Sequence, residues 1–492
     1  MGRSGGIRRC RRPALTRDFA TLLLDRTQTL QQASDRPAIV GIHGRRTLSN
    51  DPVYLVQLPF PSQADPDPVL AAYYAEHWRL FQQLVPGYGV GEGDLWEAPL
   101  WVAHLDGAIG REDTRLLDLS RSPAEVDACL KAIEQQTPAN ADLYLSPLAQ
   151  NFDLAIGIGR ALLGTGRRTV VGGNMARLAQ PGDFDVIYQG QAKAGLRAQI
   201  DGQDQNVVGT WPQRGANKAA AGFRPRYRLL RSFGQRVPLV RLNASHGCLL
   251  ACSFCGDGWS RQLHVVPGDD LAEELEEIEA TFPDLRCIYI GDKTFGQSRP
   301  AVENLIRVLG SRRGRYALIV QTHVSAIDDW LLDAMDRLGV RIVEMGFETV
   351  DTDVLRQVRK TGGAQQYRKA IDSLHRHGKA VFLNVMGGLP QQTEAAHEAT
   401  LAFLSEVAEY VHAHNLYNFV PYPETPLFES LKPRIVDWNF ANWREDRPVV
   451  FEPYILSRER AWEQFLELVA LCTRLGRARA DRFEQRMEVL HG

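Results

Sequence analysis

Three cysteines of this chain stand within eight residues of one another. In the string ASHGCLLACSFCGDG (244–258), Cys248, Cys252 and Cys255 are spaced C-x3-C-x2-C. Three thiolates on one short loop suit three corners of a [4Fe–4S] cubane, whose irons prefer cysteine sulfur. No fourth cysteine is close, because Cys287 falls inside an apolar run. The fourth iron would therefore keep an open position and act as a binding site, as the open position does on a catalytic zinc. The alternative is a structural zinc with His246 or His264 as fourth ligand. Such sites usually pair two C-x2-C-type units, or one such unit with H-x3-H, and no second unit occurs. Cys10, Cys129, Cys287 and Cys472 read as tail or core residues.

The elements that must position this loop follow from hydrophobic periodicity. Apolar strands are expected at 53–58, 115–120, 142–146, 169–174 and 183–190, with helical stretches between them. Alternation of this kind means βαβ units and a parallel, doubly wound sheet, whose ligand lies outside the carboxyl ends of the strands. Ser146, Gly172, Gly173 and Gly190 fall at those ends. A second alternation gives strands at 238–243, 286–291, 316–321, 340–346, 380–387 and 416–420. Six βα units are too few for a closed eight-fold barrel and fit an open, partial one. The expected α/β architecture is thus a Rossmann-like domain at 51–205, a linker at 206–235, a partial (β/α)6 barrel at 236–435 and a helical region at 436–492. In that last region a helix at 457–475 is followed by a basic terminal helix from Arg474. Residues 1–50 read as a partly disordered, arginine-rich tail without a secretory h-region.

Composition sets the outer bounds. With 492 residues, 44% hydrophobic and 24% charged, the chain is globular and multidomain. Lys and Arg total 57 against 59 Asp and Glu, a net charge of −2 that offers no general attraction to nucleic-acid phosphates. Seven cysteines are too few for a disulfide scaffold. No run of about 18 apolar residues is present to span a membrane. The expectation is a cytoplasmic protein with neither a nucleic-acid nor a membrane partner.

The cysteine spacing, its place after the first barrel strand, and Phe254 before the last cysteine together resemble the radical S-adenosylmethionine (SAM) superfamily. YIGDKTF (289–295) is similar to the family's second strand end. MGFETVDTDVLRQVRK (345–360) is similar to its fourth strand and following helix, and NVMGGLPQQT (384–393) to its fifth strand and glycine turn. FVPYPETPL (419–427) is similar to the sixth strand-end motif, with Glu424 where glycine is usual. The resemblance implies that SAM chelates the open iron and that Glu348 faces it, with Phe254, Asn384, Gly387 and Gly388 among the cofactor contacts. QLPFPS (57–62), SPLAQN (146–151), VVGGN (170–174) and VIYQGQ (186–191) resemble the cobalamin-binding domain that precedes many such barrels. Gln191 replaces the usual acid there, and the D-x-H-x-x-G motif is absent, so no motif histidine is offered to cobalt.

The resemblance implies a cobalamin-dependent radical SAM methyltransferase. It would move a methyl group from SAM through cobalt to a carbon of a small-molecule or peptide substrate, with an external flavodoxin- or ferredoxin-type electron donor. LWEAPLWVAHLDG (95–107) is similar to the tryptophan C2-methylating branch of peptide antibiotic biosynthesis, which points to an indole carbon. The runner-up is a cobalamin-containing radical SAM enzyme that rearranges or couples its substrate. A third reading is a non-catalytic redox or cobalamin sensor. His323 and Asp292, at barrel strand ends, are the catalytic candidates. The segment 73–81 reads as a packed helix, and LRQVRK (355–360) as a solvated helix face.

Overall fold

The structure is a computed structural model. It describes residues 51–61, 67–88, 97–202, 206–209, 222–233, 239–256 and 261–491, with the backbone alone for 232–233 and 482–491. The expectations for residues 1–50 lie outside the described residues.

The first half builds β1 (Val53–Gln57), α1 (Pro68–Leu84), α2 (Leu100–Ile109), β2 (Arg115–Asp118), α3 (Val126–Gln136), β3 (Asp142–Leu145), α4 (Phe152–Leu162), β4 (Arg168–Val171), β5 (Val186–Gln189), α5 (Leu196–Asp201) and β6 (Val207–Gly209). The six strands form one parallel sheet in the order β2-β1-β3-β4-β5-β6. Runs such as VYLVQ and DLYL are buried along their whole length, as strands covered on both faces must be. The strand order turns back between β1 and β3, the point at which doubly wound sheets open a ligand crevice.

Strand β6 falls inside the stretch expected to be linker. Three residues at a sheet edge leave too short a pattern to stand out from polar surroundings. Among the described residues of the connection, Tyr227 and Arg228 are also docked. Tyr227 is fully buried and its hydroxyl donates to Glu274 Oε1 at 2.7 Å, while Arg228 pairs with buried Asp106 on α2 at 2.7 Å.

The second half builds β7 (Leu239–Leu242), the antiparallel hairpin β8 (Ser245–Gly247) and β9 (Leu263–Val265), α6 (Gly268–Thr281), β10 (Cys287–Ile290), α7 (Arg299–Leu309), β11 (Ala317–His323), α8 (Asp329–Leu338), β12 (Val340–Glu348), α9 (Thr352–Gln357), α10 (Ala364–Arg376), β13 (Ala380–Gly387), α11 (Glu394–Val407), β14 (Ala413–Asn418), α12 (Phe428–Leu431) and α13 (Arg458–His491). Strands β7 and β10 to β14 pair in sequence order, all parallel, and β7 does not pair with β14, so the barrel is open.

Helix α1 belongs by sequence to the first half but packs on the barrel. Its Leu80, Phe81 and Leu84 join Leu239, Cys287 and Ile342 from the amino-terminal part of the barrel strands in one apolar cluster. It also covers the edge of β14. The Tyr73 hydroxyl donates to His414 O at 2.8 Å and accepts from Leu416 N at 3.1 Å, which satisfies groups that an edge strand would leave bare. The terminal region is one 34-residue helix, not the two expected. The supposed break falls at Gly476, where a Cβ would stand 3.1 Å from Leu80 Cδ1, so the glycine lets α1 approach closely.

Candidate functional site

The cysteine loop leaves the carboxyl end of β7 through the β8 hairpin. Asp292, just past β10, holds its start: Oδ1 accepts from the amides of Ala244 and Ser245, and Oδ2 accepts from Ser245 Oγ at 2.6 Å. Burial raises its pKa to about 6 although these bonds oppose the shift. Both carboxylate oxygens are engaged with backbone and serine, which makes Asp292 a positioning residue in this geometry. Gln297 grips the loop from the same side, accepting from Leu249 N at 3.0 Å and donating to Gly247 O at 3.3 Å. Sequence reasoning missed Gln297, since no spacing rule links it to the cysteines.

Cys248 and Cys252 are buried and Cys255 is half-buried, and none of the three is in a disulfide. Burial is the main cause that pushes Cys252 up to about 12, and the neighbouring Cys255 and Cys248 add to it. Among the described residues no three His, Cys, Asp or Glu side chains converge tightly enough for one shared ion. A cubane bound through one thiolate per iron does not require such convergence. The three soft donors therefore fit three corners of a [4Fe–4S] cluster.

Beside them lies a buried ion pair. Glu348 Oε1 and Lys360 Nζ are 2.7 Å apart, and both side chains are almost wholly inaccessible. Glu348 adopts φ +62°, in the left-handed region, at a register shift of β12 against β13. Lys360 stands over Gly346, where a Cβ would fall 2.6 Å from Nζ, and 5.9 Å from the ring of Phe254. The solvated-face reading of 355–360 fails at this residue. Helix α9 ends at Gln357 and Arg359 takes φ +56°, which turns Lys360 inward. The signal available in sequence was the glycine pair at 362–363 that ends the helical pattern.

The remaining expected residues separate into two groups. His323 is buried next to Lys360, and burial first and that cation second lower its pKa to about 4, so the ring is neutral at pH 7. Asn384 is buried and accepts from Asn415 Nδ2 at 2.8 Å. Gly387 and Gly388, by contrast, are packed against protein. A Cβ would meet Phe465 at 2.8 Å in the first case and Asn418 Oδ1 at 2.3 Å in the second.

At the carboxyl edge of the first sheet, Gly172 has open space where a Cβ would project, and Gly173 and Gly190 adopt φ +79° and +110°. Ser146 Oγ lies 2.6 Å from the would-be Cβ of Gly173, and Gln150 Oε1 is buried without a hydrogen bond. Adjacent strands β3, β4 and β5 thus end in a backbone ledge that a large flat ligand such as a corrin can approach.

A strap at 421–429 joins this ledge to the cysteine loop. Asn174 Nδ2 donates to Glu424 Oε1 at 2.9 Å, and Arg177 NH1 donates to Pro423 O at 2.6 Å. On the other side Leu427 N donates to Ser253 O at 3.0 Å, and the Glu424 stem lies against Gly256, next to Cys255. The departure from glycine at 424 thus sits at the junction of the two loops.

These features define a parallel partial barrel with a thiol loop at its carboxyl mouth. Residues 242–404 match the family model of the radical SAM superfamily, and this part of the chain is a radical SAM domain. A curated relative, bacteriochlorophyllide d C-12(1)-methyltransferase of Chlorobaculum tepidum, is 23% identical over 251 residues, covering 48% of this chain and 52% of its own. The chain thus spans about half the length of the curated relatives it matches. Two solved structures of the radical SAM methyltransferase TsrM from Kitasatospora setae share the fold, each with a TM-score of 0.50. One, with tryptophan substrate and aza-SAM, is 15% identical and covers 76% of this chain and 74% of its own. The other, with cobalamin and a [4Fe–4S] cluster, is 14% identical and covers 77% and 78%.

Proposed function

We propose that the chain is a cobalamin-dependent radical SAM methyltransferase, transferring a methyl group from SAM to a carbon of a small-molecule or peptide substrate. The observation that carries the reading is the three-cysteine loop at the barrel's carboxyl mouth, tied by one strap to the glycine ledge of a doubly wound sheet. The TsrM structure with both cofactors supports it, as does the methyltransferase named among the curated relatives. Cys248, Cys252 and Cys255 would hold the cluster, and the ledge around Ser146, Gly172, Gly173 and Gly190 would hold cobalamin. When bound, the cluster would deliver an electron to SAM, and the corrin would supply a cobalt centre able to carry a methyl group. The chain's own part is placement. Asp292 and Gln297 fix the thiol loop, Lys360 and Glu348 keep a charge pair beside it, and neutral His323 lines the same mouth.

The reductant we assign is a flavodoxin- or ferredoxin-type protein, and the substrate carbon an aromatic one. TsrM, whose structure holds tryptophan as substrate, motivates offering tryptophan first. The test is anaerobic reconstitution with iron, sulfide and hydroxocobalamin, reduction with excess titanium(III) citrate to bring cobalt and cluster to their reduced states, and addition of SAM carrying a labelled methyl group. One S-adenosylhomocysteine per bound cobalamin in a single turnover supports methyl transfer. Release of 5′-deoxyadenosine with no S-adenosylhomocysteine overturns it in favour of rearrangement or coupling. The triple variant C248A/C252A/C255A is expected to lose the cluster's iron and visible absorption. A triple variant that retained four irons would refute the assignment of the loop.

A further inference from the structure

We propose that the 421–429 strap energetically couples the two cofactor loops, with the Asn174–Glu424 hydrogen bond as its clasp. The inference rests on the reading that the thiol loop holds the cluster and the glycine ledge holds cobalamin. Its own basis is the contact chain from one loop to the other. Asn174 directly follows Gly172 and Gly173, and its amide reaches Glu424 at 2.9 Å. Three residues on, Arg177 takes Pro423 O at 2.6 Å and pairs with Glu429. The strap then returns to the thiol loop: Leu427 N donates to Ser253 O, between Cys252 and Phe254, and Glu424 Cγ lies 2.6 Å from where a Cβ of Gly256 would stand. Ser253 in turn donates its amide to Val358 O at 2.9 Å, which ties the thiol loop to the turn that carries Lys360.

Two orphaned atoms lie on separate segments, one on the turn that follows β3 and one in the thiol loop. Gln150 Oε1 and Ser253 Oγ are both buried without a hydrogen bond. Native structures seldom leave such atoms bare, and a ligand or ordered water is the ordinary partner. A cofactor that orders either loop orders the strap, so the other cofactor finds its own loop already arranged. Coupling of this kind is reciprocal by thermodynamic necessity. Glu424 acts here as a positioning residue and touches neither cofactor in the argument.

The test measures the affinity of hydroxocobalamin for the full chain with and without the reconstituted cluster. In the parent protein the cluster is expected to tighten hydroxocobalamin binding at least about 5-fold, the lower range of measured site-to-site couplings. In Glu424→Gly and Asn174→Ala that ratio should fall to about 1, with iron content and melting temperature retained. Glu424→Gln keeps an oxygen to accept from Asn174 and should keep the ratio. Asn174 is exposed on its loop, so its variant stays informative if Glu424→Gly fails to fold. Hydrogen exchange over 172–178 in the cluster-free protein should rise in both weakened variants. A ratio of 1 in the parent, or an unchanged ratio in Asn174→Ala, overturns the clasp alone. Absence of hydroxocobalamin binding to the parent overturns the functional reading, and the clasp with it.

Discussion

Charge chemistry at the site turns on Lys360, the residue whose sequence context gave least warning. The three cysteines and their spacing were visible at once because chelation by one loop is a local property. Lys360 was not, because its inward turn depends on the left-handed Arg359, and the partner that explains it lies twelve residues earlier on another element. Removing one member of a buried pair leaves the other charge without compensation, at a cost of about 3–5 kcal/mol. Lys360→Ala is therefore expected to lower stability by that order in urea unfolding at pH 7. K360M/E348Q, which removes both charges at similar volume, should recover most of the loss. If Lys360→Ala stays within about 1 kcal/mol of the parent, the pair is not sealed from solvent. Glu348 and Lys360 flank the thiol loop, so the paired measurement also separates charge compensation from packing.

Element by element, most strand and helix positions followed the sequence pattern, although the sixth barrel strand, expected at 416–420, runs Ala413–Asn418, and the larger departures have two causes. Helix α1 was legible as a packed helix, but the surface it covers was not, since its partners stand more than 150 residues away in the barrel. The hairpin β8–β9 and the edge strand β6 are three residues each, too short for a period to register. The barrel itself was legible because its six strands recur in order with helical stretches between them, although β7 and β10 are only four residues each. What α1 does for the edge strand can be isolated at one atom. Tyr73→Phe keeps the ring and removes only the hydroxyl that serves His414 O and Leu416 N. Leaving buried backbone groups unpaired costs about 1–3 kcal/mol. The expected result is a stability loss in that range together with faster hydrogen exchange at the Leu416 amide. An unchanged exchange rate would show that water reaches this edge, and that α1 contributes apolar cover alone.

Across the whole molecule, the two halves are latched through the 222–233 connection, and its chemistry gives stability a pH dependence. Arg226 N donates to Ala103 O on α2, while Tyr227 N and its hydroxyl both donate to the α6 carboxylates Glu277 and Glu274. Glu274 is 8% exposed, and burial, partly offset by the Tyr227 bond, raises its pKa from 4.5 to about 7. A carboxyl with a raised folded-state pKa holds a proton that the unfolded chain has already released. Its contribution to stability is full below pH 4.5 and is lost as pH climbs through about 7. At 1.36 kcal/mol per unit the swing is about 3 kcal/mol. Glu274→Gln keeps the oxygen that accepts from Tyr227 and cannot ionise, so it removes this one contribution to the slope. Other buried groups titrate in the same range, such as Asp142, raised to about 6, and His412 and His414, lowered to about 4. They are common to both proteins and cancel in the comparison. Thermal unfolding of parent and variant should therefore coincide at pH 4 and diverge by pH 8, with the variant the more stable. Equal melting temperatures at pH 8 would mean that Glu274 ionises freely in the folded protein, and that the latch leaves it open to water.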